Sequence, residues 1–163
     1  QQKGLSYLFD AMTRMGAAAE LTIVGSASHS EGPELRAAIG DRRWHESLPN
    51  SAVRTLMREQ DVLVLPSLSE AYGLVVGEAL SEGVPVIVSE NVGAADLIEH
   101  GVNGFVTPIR DSEAIAQALT ALLDRDRLGA MSAAAYATAE AAPESVVWRD
   151  TLAWVRSIAA ARG

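Results

Sequence analysis

With 163 residues, 48% of them hydrophobic, the chain is long enough for one domain with a substantial core, and having no cysteine it excludes disulfides and cysteine-built zinc sites. A formal charge of -8 and a pI near 4.8 set most of the surface against nucleic-acid backbones and anionic lipid. No apolar run reaches the roughly 20 residues that span a bilayer and the first residues lack the regions of a cleavable signal, so the expectation is a cytoplasmic protein without a transmembrane segment.

A helical pattern begins almost at once, as if the sequence were cut from something longer. Leu5, Leu8, Phe9 and Met12 fall at i, i+3, i+4 and i+7, one apolar stripe on a first helix. "ELTIVG" reads as a short buried strand ended by Gly25, a helix is expected from Pro33, and "RRWHESL" holds a brief strand. "PNSAVRTLMREQ" carries Val53, Leu56 and Met57 at helical spacing, and "DVLVLPS" is the continuous apolar run of a strand covered on both faces. A helix over 73–82, the strand "VPVIVS", a short helix "GAADLIEHG" closed by Gly101, and the strand "NGFVT" come next. The remainder reads as helical: one helix starts at Asp-Ser with Ile115, Leu119 and Leu122 on one face, an alanine-rich segment follows from Arg127, and a last helix begins at Pro143 with Trp148, Leu152 and Val155 on a stripe. Strands alternate with helices throughout, the pattern of a Rossmann-like α/β sandwich with a mostly parallel sheet and helices on both faces.

His29, His45 and His100 have no ligand or triad spacing, so no metal site is expected. His100, just before Gly101, reads as a cation at a helix C-terminus. Trp148 and Trp154 could serve as aromatic sugar platforms, but the stripe spacing of Trp148 suits core or interface better.

Ligands of such sheets bind outside the carboxyl ends of the strands. Glu70 to Gly73 stands at that place, between "DVLVLPS" and the next helix, and Glu78 lies eight positions after Glu70. Taken alone, the two carboxylates read as a solvated loop and a helix-surface glutamate. Gly73 also lets backbone approach a ligand, and the first free amides of the helix, at Leu74 and Val75, can donate to a phosphate. Glu78, one turn in, suits the vicinal hydroxyls of a ribose, and Glu70 those of a sugar.

The segment Glu70-Ala71-Tyr72-Gly73-Leu74-Val75-Val76-Gly77-Glu78 resembles the E-x7-E motif of the retaining nucleotide-sugar glycosyltransferases of glycosyltransferase family 4, which have the two-domain GT-B fold. "KGLSYLFDAM", "LTIVG", "WHESLPNSAVRTLMREQDVLVLPS" and "GVPVIVSENVGAADLIEHGVNGFVTP" resemble further parts of the same family, so the likeness covers nearly the whole chain. It implies that residues 1–163 form a single donor-binding domain, the C-terminal half of the GT-B fold. It implies that Lys3 contacts the donor diphosphate and Glu70 the transferred sugar, both as catalytic residues. Tyr72, Gly73 and Leu74 would offer amides near sugar and phosphate, Glu78 would hold the ribose, and Gly25 with the Glu46-Ser47-Leu48 region would lie near the nucleotide. No metal and no cofactor beyond the nucleotide-sugar donor is implied.

The partner implied is an N-terminal acceptor domain of the same protein, toward which the last helix crosses back; its stripe would otherwise invite self-association. Three departures stand out: the family's arginine and first strand upstream of the lysine would precede Gln1, Glu46 stands where the family often has glycine, and Asp96 where it often has glutamate. A second functional class, a non-catalytic nucleotide or nucleotide-sugar binding module, fits the same scaffold.

Overall fold

The structure, a computed structural model, describes residues 2–26 and 32–141. Their elements run α1 (Leu5–Met15), β1 (Thr22–Val24), α2 (Gly32–Ile39), β2 (Arg43–His45), α3 (Asn50–Arg58), β3 (Leu63–Leu65), α4 (Leu74–Ser81), β4 (Val86–Ser89), β5 (Gly104–Thr107), α5 (Ser112–Ala121) and α6 (Arg125–Ala141), with 3-10 turns at Gly16–Ala18 and Gly93–Leu97. His29, the helix expected from Pro143 with Trp148 and Trp154, and the self-association stripe all lie outside the described residues.

β4 explains the apolar run that encodes it. Val86, Ile87 and Val88 are all fully buried, because strand alternation sends them to opposite faces and both faces are covered. Ile87 joins Leu8, Ala11 and Met12 of α1 and Ile115 and Leu119 of α5. Val86 and Val88 join Met57 of α3 and Val76, Ala79 and Leu80 of α4. Each such aliphatic side chain contributes about 1.5–3 kcal/mol on burial. α6 serves both layers, with Leu128 and Met131 in the first cluster and Ala135 in the second. Asp111 caps α5 as its Asp-Ser start predicts, its side chain accepting from Ala114 N–H at 2.9 Å.

All strand pairs are parallel, but they form two sheets: β3-β4-β5, with Leu65 opposite Val88, and a separate pair β1-β2. α1 spans the two, since Leu21, just before β1, and Val62 and Val64 at β3 pack against the same cluster as Leu8 and Met12. The sheet expected from the sequence is therefore divided, with no described strand pairing β1 to β3.

The segment "GAADLIEHG" differs from expectation. Its helix is 3-10 and ends at Leu97, Ile98 is extended, and Gly101 (φ 83) turns the chain into β5 instead of closing a helix. Buried Asn103 is the physical reason: its side chain accepts from Glu99 N–H at 2.9 Å and donates to the Leu97 carbonyl at 2.9 Å, taking the groups a further helical turn would use. His100 accordingly does not stand at a helix end. Its Nδ1 accepts from Val106 N–H at 3.2 Å and its ring meets Phe105 edge-on.

Candidate functional site

The carboxyl end of β3 is where the chain's start and the glutamate motif meet. Gly4 caps α1 in the left-handed region (φ 67), and a Cβ there would lie 1.9 Å from the Pro66 carbonyl oxygen. Only glycine allows the backbone entering α1 to lie on the strand end this closely. The Gln2 carbonyl accepts from Leu68 N–H at 2.8 Å, and the Gln2 side chain donates to the Ser69 carbonyl at 3.3 Å. This places Lys3 beside the motif, where its ammonium pairs with Oε2 of Glu70. The lysine side chain is 60% exposed, and ion pairs so placed contribute little to stability. The pair's consequence is positional: a cation and a carboxylate held together at a strand end.

The loop after β3 is tied on its other side as well. Glu70 N–H donates to the Asn91 carbonyl at 3.1 Å, the Glu70 carbonyl accepts from Gly93 at 3.1 Å, and the Tyr72 carbonyl accepts from Ala94 at 2.7 Å. The Asn91 side chain donates to the Leu68 carbonyl at 3.0 Å. Gly93 permits this contact, since a Cβ there would stand 2.3 Å from the Ala71 carbonyl oxygen.

Gly73, left-handed at φ 83, starts α4. A Cβ on it would meet a Val92 methyl at 2.8 Å, so both conformation and space call for glycine. Val76 N–H returns to the Gly73 carbonyl at 2.9 Å, while the amides of Leu74 and Val75 have no backbone acceptor among the described residues. They are the orphan donors of a helix N-terminus, which carries partial positive charge. They stand four and five residues after Glu70, where this tied loop enters α4, and Glu78 follows one turn on, half-buried.

Glu78 and Glu82 both face α3. The Asn50 side chain donates to Oε1 of Glu78 at 3.2 Å. Arg54 and Arg58 pair with Oε1 and Oε2 of Glu82, whose side chain is only 7% exposed. The Arg58 hydrogen bond, with help from Arg54 and against the cost of burial, holds the Glu82 carboxyl below its ordinary value of 4.5. A carboxyl with a depressed folded value stabilises fully above the unfolded value and loses that contribution as pH falls through the folded one. Glu82→Gln is therefore expected to be less stable than the native chain at pH 7, with the gap closing below pH about 4.5. Urea midpoints of both chains at pH 7 and pH 3 measure it, and a gap independent of pH would contradict it.

The remaining expected residues lie on the other sheet. Gly25 follows β1, donates to the His45 carbonyl at 2.9 Å and accepts from the Trp44 indole N–H at 2.8 Å. Glu46 turns to Arg36 of α2, and that guanidinium also lies over the Trp44 ring at 4.7 Å. Ser47 and Leu48 continue this chain end toward α3, so their connection to the motif runs through Asn50, two residues after Leu48. Lys3, Glu70, Tyr72, Gly73, Leu74, Val75 and Glu78 are thus grouped at the end of β3 and the start of α4, while Gly25, Ser47 and Leu48 belong to the neighbouring β1–β2 end. A cavity of about 440 Å³ is lined by Leu21, Thr22, Asp41, Arg42 and Arg43, at the strands' amino ends, away from this group. Asn50, Asn91 and Gly93 contribute without any signal in the motif; only the close backbone passage reveals the two that follow β4.

A family model described as "Glycosyl transferases group 1" matches residues 1–125. The amylovoran biosynthesis glycosyltransferase AmsK of Erwinia amylovora is 31% identical over 137 residues, 75% of this chain and 33% of AmsK, so the chain spans about a third of that relative's length. Anabaena HepE, solved in complex with UDP-glucose, superposes with a TM-score of 0.77 at 28% identity, covering 85% of this chain and 41% of HepE. The C-terminal domain of the Francisella tularensis group 1 glycosyl transferase LpcC superposes with a TM-score of 0.74 at 19% identity, covering 86% of this chain and 80% of that one, a likeness of fold. The chain belongs to the group 1 glycosyl transferase family and carries the Rossmann-like α/β architecture of a GT-B half.

Proposed function

We propose that this chain is the donor-binding domain of a retaining, metal-independent glycosyltransferase that takes its sugar from a nucleotide diphosphate sugar. One observation carries the reading: Lys3 on Glu70, at a loop that ends in the bare amides of Leu74 and Val75, with Glu78 one turn beyond. HepE, a relative at 28% identity with UDP-glucose bound, supports it from outside. In this reading the diphosphate lies against Lys3 and the α4 amides. They stabilise the negative charge that grows on the leaving group as the anomeric bond breaks, the work a divalent ion does in other enzymes. Glu70 holds sugar hydroxyls and is not a covalent nucleophile. Glu78 accepts from the ribose, and the Gly25 and Ser47-Leu48 end takes the base side. The acceptor belongs to another domain of the same protein, so this domain alone binds donor and transfers nothing, because an open half-site neither holds the acceptor hydroxyl nor excludes water.

Glu78→Ala is expected to weaken nucleoside diphosphate binding by about 1–3 kcal/mol with the fold intact, the range for a hydrogen bond to a charged group. Titration calorimetry with UDP, GDP and ADP reads it. Unchanged affinity for every nucleotide the native protein binds would remove Glu78 from the site.

A further inference from the structure

Asn50, Arg54 and Arg58 recur every four residues on α3, and Glu78 on α4 and Glu82, which caps its C-terminus, have the same spacing. Residues four apart share a helix face, so the two rows oppose each other as a ladder. At one end both carboxylate oxygens of Glu82 are taken by arginines. At the other, Glu78 receives, among the described residues, a neutral amide on Oε1.

From this we infer that Asn50 is a positioning residue for Glu78 and thereby sets discrimination for the ribose hydroxyls of the donor; the inference rests on the reading of Glu78 as the ribose acceptor. The logic is one of charge and lone pairs. A carboxylate that must accept from two adjacent hydroxyls needs a fixed orientation and free lone pairs on at least one oxygen. An arginine at position 50 would supply orientation but would occupy and neutralise the acceptor with a forked, charged donor. An amide donates one N–H to one oxygen, fixes the rotamer, and leaves the charge and Oε2 to the ligand. Glu82 completes the arrangement by engaging Arg54 and Arg58, one and two turns from Asn50, so neither drifts onto Glu78.

The test compares the native intact protein with Asn50→Ala, Asn50→Arg and Glu78→Ala. Calorimetry gives Kd for whichever of UDP, GDP or ADP the native protein binds best and for its 2′,3′-dideoxy counterpart, and the ratio of the two measures hydroxyl discrimination. Thermal midpoints check that each variant folds; Asn50 is exposed, and both replacements are expected to fold. Asn50→Ala should cut the ratio about tenfold, chiefly through weaker binding of the hydroxylated nucleotide. Asn50→Arg should bring it near one. A merely structural residue would weaken both nucleotides alike, so a native-like ratio in Asn50→Ala overturns the inference. If Glu78→Ala collapses the ratio while both Asn50 variants keep it, Glu78 remains the ribose acceptor and only the role of Asn50 falls. If Glu78→Ala keeps the ratio, the reading of Glu78 falls and the inference with it.

Discussion

Gly4→Ala is expected to destabilise the domain by about 2–5 kcal/mol, combining roughly 1–2 for a side chain in the left-handed region with about 1–3 for overpacking. The overpacking is severe because the new Cβ would stand 1.9 Å from the Pro66 carbonyl oxygen, which is backbone and cannot rotate away. Either α1 lifts from the end of β3 or the strand end moves. α1 contributes Leu8, Ala11 and Met12 to a core cluster, so its displacement is felt in packing as well as at Lys3. For a chain of this size, each kcal/mol lowers the thermal midpoint by about 2–4 °C, so the shift should be large. Gly129→Ala is the control: Gly129 lies within helix α6 with nothing near a new Cβ, so alanine there should stabilise by about 0.5–1 kcal/mol. Equal midpoints for Gly4→Ala and the native chain would refute the close approach.

Glu70→Gln is expected to separate two ligands that share a diphosphate. In the intact protein, sugar transfer should fall about a hundredfold, since misplacement of the sugar by about an ångström is enough to cost that much. Affinity for the bare nucleoside diphosphate should hold or rise. Lys3 pairs with Glu70, and a neutral amide at position 70 releases that ammonium to a phosphate. Transfer assays with labelled nucleotide sugars and calorimetry with the bare diphosphate measure the two arms. Equal losses for both ligands would contradict the assignment of Glu70 to the sugar.

These residues also mark how far the sequence reaches. The strands and most helices were legible because each buries a repeating apolar pattern, as β4 does with Val86, Ile87 and Val88. Glu70, Gly73 and Glu78 were legible as a group through the family resemblance, since the two carboxylates taken alone read as solvated. Asn103 was not: one polar side chain, by capturing Leu97 and Glu99, shortened a helix whose own residues predict its continuation. The division into two sheets was hidden as well, since strand patterns reveal elements but not which of them pair. Asn50 carries no local signal, because its partner is 28 residues away, on a different helix.

The loop that carries Glu70 is pinned by Gln2 on one flank and by Asn91, Gly93 and Ala94 on the other, all through contacts within the chain. A ligand docking there finds the backbone donors of this loop already in place, so the loop itself need not order around it. This loop's share of the heat-capacity change of binding is then only that of the surface it buries, far short of the large negative value that accompanies coupled folding.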